Sequence, residues 1–180
     1  SDRGKQVQFA TNYFYTGTRF LVKAGTTVKT LDDLKGKTIV STTGTTNFQI
    51  LRNLNEEKKL GMNLLGAKDH AESALMVETG RAVAFGMDDI LLYGLRASSQ
   101  DPASLAVVGD PIQVEPYAIM MRKDEPQLER VVNHALTELF QSGEIRRMYA
   151  KWFATKDLTV PLNSLLKEAF STPNTYPAWP

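Results

Sequence analysis

The feature that most constrains the fold is a regular alternation of short apolar segments with helix-forming segments between residues 37 and 109. Four apolar segments, KTIVSTT, NLLGA, AVAFG and SLAVVG, are separated by three stretches with the spacing and end signals of short helices. Strands that alternate with helices over short connections are typical of a parallel sheet with helices on its faces. The sequence therefore predicts an α/β fold.

The segments on either side of this alternation have patterns of their own. Residues 7–23 predict a strand, a turn at Gly17 and a second strand, because β-branched and aromatic residues flank the glycine. From Pro126 apolar residues recur at the spacing of an amphipathic helix, and a second such helix follows Gly143. The stretch from Asp157 onward is rich in Pro, Thr, Ser and Asn, and predicts a tail that wraps a surface.

Composition excludes several classes of function. The 180 residues carry 21 basic and 20 acidic side chains, and this near neutrality argues against a nucleic-acid-binding protein. The absence of cysteine removes disulfides and thiolate metal sites. The two histidines and the acidic residues show neither metal-ligand spacing nor a catalytic motif. We expect no metal, no cofactor and no enzymatic activity.

The stretch STTGTTNF predicts an anion site. Thr42 and Thr43 end an apolar strand, and a helix is predicted from Thr46. The free N–H groups at the start of a helix attract an anion, and threonine hydroxyls supply further donors. The spacing lacks the lysine of a nucleotide-binding loop, so that a small carboxylate is the better fit. The alternative is that Thr45 or Thr46 only caps the helix.

Two further predicted strands also end in polar residues. Asp88 and Asp89 directly follow one strand. One of them can cap the next helix while the other binds a cation or an ammonium group, the alternative being that both are cap and first-turn acids. His70 follows another strand, and is either a structural residue or a donor to a carboxylate. Ligands of open parallel sheets bind beyond the carboxyl ends of the strands, so an anion site next to a carboxylate would suit a zwitterion.

Three residues outside these strand ends are further candidates. Arg3 and Arg19 each have a guanidinium that can form a forked pair with a carboxylate, the alternative being a solvated surface position. Tyr15 is a candidate for the pocket wall, the hinge or the core.

The motifs STTGTTNF, AKDHAESALMVETGRAVAFGMDDILL and VEPYAIMMRK, in this order, resemble the family 3 solute-binding proteins of amino-acid ABC transporters. The closest likeness is to the periplasmic glutamate/aspartate-binding proteins. The resemblance implies a two-lobed fold of the type II periplasmic binding proteins, which captures an acidic amino acid and delivers it to the permease subunits of an importer. No signal peptide opens the sequence, so we expect either a protein that stays inside or a processed or trimmed form. The resemblance implies the second, with a periplasmic location.

The resemblance also implies roles for individual residues. Arg3 and Thr46 would bind the α-carboxylate of the ligand, Asp88 the α-ammonium and His70 the distal carboxylate. The chemistry of the strand ends had already indicated the last three positions, whereas Arg3 is preferred to Arg19 by resemblance.

The expected domain organisation follows the same likeness. Residues 1–17 would be the end of the first lobe and a hinge, residues 18–112 the second lobe, and residues 113–180 the return hinge with the last helices of the first lobe. Family members carry roughly another hundred residues before the point where this sequence begins, and those residues form most of the first lobe. Without them, we expect the last helices to expose apolar faces such as Leu128, Val132 and Leu136. Such faces favour a homo-oligomer or a domain-swapped dimer.

Three other functions remain open at this point. Relatives of this fold include dehydratases that act on small carboxylates, for which His70 or a nearby carboxylate would be the candidate acid or base. A sensory ligand-binding domain and a self-associating fragment that binds no ligand are the others. The sequence leaves the choice among glutamate, aspartate and glutamine open.

Overall fold

A computed structural model describes the backbone of residues 2–171 and the side chains of residues 4–171. The strands are β1 Val7–Phe9, β2 Phe14–Lys23, β3 Thr38–Thr42, β4 Asn63–Ala67, β5 Ala84–Asp88, β6 Leu105–Val108, β7 Val114–Tyr117 and β8 Met120–Arg122. The helices are α1 Thr46–Glu57, α2 His70–Glu78, α3 Asp89–Ser98, α4 Pro126–Gln141, α5 Glu144–Phe153 and α6 Ser164–Ser171. Within the described residues, no helix combines the length and apolar character needed to cross a bilayer.

The chain divides into two compact units. The middle unit comprises Gly17–Glu115, and the terminal unit comprises Ser1–Thr16 together with Pro116–Pro180. The chain therefore passes from one unit to the other twice, once within β2 and once within β7.

The sheet of the middle unit is mixed, whereas the alternating segments of the sequence predicted a parallel sheet. Its strand order is β4-β3-β5-β2-β6, in which β3 pairs in parallel with β4 and β5, and β2 pairs antiparallel with β5 and β6. Parallel neighbours need a crossover connection, which α1 and α2 provide. β2 runs opposite to its neighbours β5 and β6, and an antiparallel pair needs no helical crossover. The α/β class itself is confirmed.

Gly17 lies inside a strand, so the predicted turn at this position is wrong. β2 runs without interruption from Phe14 to Lys23. A Cβ atom at Gly17 would lie only 2.6 Å from Cβ of Pro111. The glycine therefore permits a close approach of two chain segments, which is a common reason for glycine within a strand.

Helices cover both faces of the sheet, because alternate side chains of each strand point to opposite faces. Val40 and Phe85 are fully buried on one face and pack with residues of α2 and α3. Ile39 and Ala84, their neighbours in sequence, are fully buried on the other face with Leu51 of α1. The carboxyl ends of β3, β4 and β5 consequently lead into the starts of these three helices.

The terminal unit is built around aromatic side chains. β1 and β8 pair antiparallel, and the rings of Phe14, Tyr149 and Phe153 have centroids 5.0–6.1 Å apart. The stretch predicted as a tail contains α6, whose Leu166 and Phe170 are buried. Residues 172–180 of that predicted tail lie outside the described residues.

The apolar face expected to be exposed on α4 is only partly so. Leu128 is exposed, whereas Leu136 is buried with Ala10 and Met121. Val132 is half-buried against the same cluster. The prediction of a wholly exposed face is therefore wrong at Leu136.

Candidate functional site

The loop between β3 and α1 ends in a threonine cap. The hydroxyl of Thr45 accepts a hydrogen bond from the N–H of Phe48 at 3.2 Å and donates to the carbonyl of Thr42 at 2.7 Å. Gly44 adopts a φ of 74°, which a residue with a side chain rarely does. Thr45 therefore has the capping role, and Thr46 stands exposed as the first residue of the helix.

The two threonines at the end of β3 hold this loop to its neighbours. Thr43 donates from both its N–H and its hydroxyl to the carbonyl of Ala67, at 2.9 Å and 3.0 Å. The hydroxyl of Thr42, which is only 4% exposed, lies 2.7 Å from Nδ1 of His70 and 3.0 Å from Oγ of Ser73. Both hydroxyls are thus engaged within the protein, and they anchor the loop on β4 and α2.

His70 is the first residue of α2, and the cap before it is a carboxylate. Asp69 accepts a hydrogen bond from the N–H of Glu72 at 2.8 Å, and Glu72 accepts one from the N–H of Lys68 at 2.9 Å. This reciprocal arrangement fixes the start of the helix. The ring of His70 is half-buried, with its centroid 6.4 Å from that of Phe85. Within the described part of the chain, Nε2 of His70 has no hydrogen-bond partner.

Asp88 is held by an asparagine that the sequence analysis missed. Its carboxylate makes no capping hydrogen bond to α3, and its Oδ1 accepts one from Nδ2 of Asn47 at 2.9 Å. Asn47 is 3% exposed, and its own Oδ1 accepts a hydrogen bond from the hydroxyl of Thr18 at 3.1 Å. Because Asn47 directly follows Thr46, it connects the start of α1 with the end of β5.

A sequence signal for Asn47 was present. Asn47 lies four residues before Leu51, on the face that α1 buries against the sheet. A polar side chain on a buried helical face needs a hydrogen-bond partner. The pattern thus predicted a partner for Asn47 without saying which residue it would be.

Arg19 is occupied by contacts inside the middle unit. It donates to the carbonyl of Gly109 at 2.7 Å and to the hydroxyl of Tyr93 at 2.9 Å, and its guanidinium lies 5.9 Å from the centre of the Tyr93 ring. Since side chains alternate along β2, Arg19 faces the opposite side of the sheet from Thr18.

The remaining candidates belong to the terminal unit. Tyr15 is buried there, and its carbonyl accepts a hydrogen bond from the side chain of Asn163 at 2.8 Å. The side chain of Arg3 lies outside the described residues.

The structure joins Thr42 directly with His70, and joins Asp88 through Asn47 with the helix start at Thr46. Among the side chains that the structure describes, no group of three or more His, Cys, Asp or Glu residues is placed to hold a metal ion.

A mixed α/β unit with an open helix start and an oriented carboxylate at its strand ends is suited to a small charged solute. Comparison with known proteins identifies the family. Residues 1–155 match the bacterial extracellular solute-binding proteins, family 3, and the chain belongs to this family. The resemblance noted in the sequence is thereby confirmed.

Curated relatives show the same likeness over nearly the whole chain. An L-glutamate/L-aspartate-binding protein of Pseudomonas aeruginosa is 43% identical over 96% of the chain. A glutamate/aspartate import solute-binding protein of Salmonella typhimurium is 40% identical over 96% of the chain. The chain spans 59% of the length of each of these relatives. Both are named as solute-binding or amino-acid-binding proteins rather than enzymes.

Solved structures agree on the fold. An ancestral arginine-binding protein bound to arginine is 31% identical, with a TM-score of 0.69, and the match covers 85% of this chain and 67% of that one. A probable amino-acid ABC transporter extracellular-binding protein from Bacillus subtilis has a TM-score of 0.76 at 22% identity, covering 84% of this chain and 66% of that one. These neighbours confirm the expected α/β fold of the type II periplasmic binding proteins.

Proposed function

We propose that the protein captures an acidic amino acid, glutamate or aspartate, outside the cytoplasm and delivers it to an ABC importer. The observation that carries this proposal is the hydrogen bond from Asn47 to Asp88, which orients a carboxylate next to the open start of α1. A cationic and an anionic group of the ligand can then be bound on neighbouring elements. The names of the glutamate- and aspartate-binding relatives support the choice of ligand.

Each candidate residue takes the role that the family resemblance implies and that its chemistry allows. The N–H and hydroxyl of Thr46 bind the α-carboxylate, because the first N–H groups of a helix lack intrahelical partners. Asp88 binds the α-ammonium as a charge-assisted hydrogen-bond acceptor. His70 contacts the distal carboxylate, and Arg3 adds a second group to the α-carboxylate. Thr45 contributes by capping the helix that presents Thr46.

The remaining candidates support the site from outside it. Thr42 and Thr43 hold the loop in place, and Arg19 fastens β2 to its neighbours. Tyr15 belongs to the core of the terminal unit, beside the point where the chain passes into the middle unit.

The two units correspond to lobes in this proposal. The middle unit is the second lobe, and the terminal unit carries those parts of the first lobe that come late in the chain. The chain crossings at Thr16–Gly17 and Glu115–Pro116 are the hinges, close to the expected residues 13–17 and 113–117. The location is the periplasm, the macromolecular partners are the permease subunits, and the chain performs no catalysis.

Self-association is a further part of the proposal. Val131 and Trp152 are 65% and 61% exposed on α4 and α5, and apolar side chains of this size favour contact with a second copy. Light scattering coupled to gel filtration tests this. A mass twice that of the 20.0 kDa chain would support a dimer, and a monomer at high protein concentration would overturn the idea.

The test of ligand capture is calorimetric titration of the 180-residue chain with L-glutamate at neutral pH. We expect saturable heat, its loss in Asp88→Asn, and its retention in Asp32→Asn, where an exposed carboxylate paired with Lys35 is neutralised instead. Glutarate, which lacks the ammonium group, should bind much more weakly. Equal affinity of Asp88→Asn and the unaltered chain would remove the ammonium-binding role.

A further inference from the structure

A chain of hydrogen bonds runs from the imidazole of His70 into the protein. Nδ1 of His70 lies 2.7 Å from the hydroxyl of Thr42, and that hydroxyl lies 3.0 Å from the hydroxyl of Ser73. The hydroxyl of Ser73 in turn lies 3.0 Å from the carbonyl oxygen of Asp69. Thr42 and Ser73 are 4% and 0% exposed, so that water has little access to either hydroxyl.

The direction of these hydrogen bonds follows from counting protons. A carbonyl oxygen only accepts, so Ser73 gives its single hydroxyl proton to Asp69. Thr42 then gives its only proton to Ser73, and its oxygen can receive a hydrogen bond from His70 alone. In the reverse order, two acceptors would face each other at the Ser73–Asp69 contact with no proton between them. The carbonyl of Asp69 already accepts the N–H of Ser73 at 3.1 Å, so the cost of the reverse order is the repulsion between two oxygens 3.0 Å apart.

We propose that this chain holds His70 in the tautomer that is protonated on Nδ1, and thereby couples the binding of an acidic ligand to proton uptake. With Nδ1 committed to Thr42, Nε2 is the nitrogen left for a ligand. In the neutral ring Nε2 only accepts a hydrogen bond, which suits an amide N–H₂ group. A carboxylate needs a donor, so Nε2 must first take one proton from the solvent. The coupling rests on the distal-carboxylate role of His70 in the proposed function.

A protonated His70 would be stabilised mainly by the negative charge of the ligand. Two groups that lie against the ring, the hydroxyl of Thr42 on β3 and the ring of Phe85 on β5, are uncharged. On its own helix, Asp69 and Glu72 both accept hydrogen bonds from backbone N–H groups of the cap. The positive end of the α2 dipole opposes a cation at the first helical position. A distal carboxylate would therefore be the group that stabilises the charged ring.

The tautomer is tested first, on the ligand-free chain. Long-range ¹H–¹⁵N correlation at about pH 8.5, above the usual range of histidine titration, reports which ring nitrogen carries the proton. The chain has two histidines, and loss of one signal set in His70→Gln identifies that of His70. We expect protonated Nδ1 and bare Nε2. A ring protonated on Nε2 in the unaltered chain would overturn the proposal.

A variant pair tests whether the hydroxyl chain sets the tautomer. Ser73→Ala frees the hydroxyl proton of Thr42 to point at Nδ1, so a measurable fraction of the Nε2–H form should appear. Thr43→Val is the matched control, since the Thr43 hydroxyl bonds to Ala67 outside the chain of hydrogen bonds, and it should leave the tautomer unchanged. An unchanged tautomer in Ser73→Ala would show that the hydroxyls do not control it.

Proton uptake is then measured by calorimetry in buffers with different ionisation enthalpies. At about pH 7.5, where an ordinary histidine is mostly neutral, we expect net proton uptake with L-glutamate, almost none with L-glutamine, and loss of the uptake in His70→Gln. Glutamate binding without uptake would overturn the coupling while leaving the proposed function intact. Absence of any glutamate binding would instead contradict the proposed function, and the tautomer measurement would still stand by itself.

Discussion

The side-chain amide of Asn47 donates a hydrogen bond to Oδ1 of Asp88 at 2.9 Å. The same asparagine accepts one from the hydroxyl of Thr18, so its amide is held from both ends. Thr18 lies directly opposite Asp88 in the antiparallel pairing of β2 with β5. One buried side chain thus links two strands and the first turn of α1, and sets the orientation of the carboxylate.

Removal of this amide should lower both stability and ligand affinity. Asn47→Ala leaves the Thr18 hydroxyl and one oxygen of Asp88 without this partner, which should cost about 1–3 kcal/mol of the free energy of unfolding. Thr18→Val is the graded control, because it keeps the bond from Asn47 to Asp88, and its cost should be smaller. Urea unfolding measures both. Equal losses in the two variants would argue against Asn47 as the central link.

Substitution of Thr45 and Thr46 should distinguish a structural role from a ligand-binding role. Thr45→Ala removes the cap of α1 and should destabilise the protein by about 1 kcal/mol. Thr46→Ala removes an exposed hydroxyl and should change stability by less than about 0.5 kcal/mol. In the proposed function it weakens glutamate binding instead. Denaturant unfolding and calorimetry on both variants check this, and the opposite order of stabilities would contradict the assignment of the cap.

Two glycines should respond to alanine with opposite signs. A Cβ at Gly86 would collide with Cδ1 of Leu51 and lie 3.2 Å from Cε1 of Phe20, so Gly86→Ala should destabilise by about 1–3 kcal/mol. Gly94 lies within α3 with no atom within 4 Å of such a Cβ. Gly94→Ala should therefore stabilise by about 0.5–1 kcal/mol. Thermal unfolding tests both, and destabilisation by Gly94→Ala would show that α3 has no room for a methyl group at this position.

The free energy of unfolding at acid pH should depend in part on Asp33. Hydrogen bonds from the N–H of Lys29 and from the N–H and hydroxyl of Thr30 lower the pKa of its carboxyl. Because the folded-state pKa lies below the unfolded value, this stabilisation is present above about pH 4 and is lost as the pH falls through the folded pKa.

Carboxyl ¹³C titration of Asp33 measures this effect. Thr30→Val removes only the hydroxyl donor, so the pKa should rise part of the way toward that of an ordinary aspartate. The two backbone donors remain in the variant and should keep it from rising fully. A titration curve identical to that of the unaltered chain would show that the hydroxyl does not contribute.

The local elements were predictable because their causes lie within a few residues. The three helices between the apolar segments and the amphipathic helix from Pro126 depend on neighbours about one turn away, and all four are present as predicted. The roles proposed for Arg3, Thr46, Asp88 and His70 remain predictions, since they depend on a ligand.

What the sequence determined by itself is the α/β class, the family and the strand ends at which Thr46, His70 and Asp88 are placed. Tertiary structure alone decided that β2 enters the sheet antiparallel between β5 and β6, that Gly17 lies inside a strand, and that Asn47 orients Asp88. The physical reason is distance along the chain. The bonds from Thr18 to Asn47 and from Asn47 to Asp88 join residues 29 and 41 positions apart, and no local pattern specifies such partners.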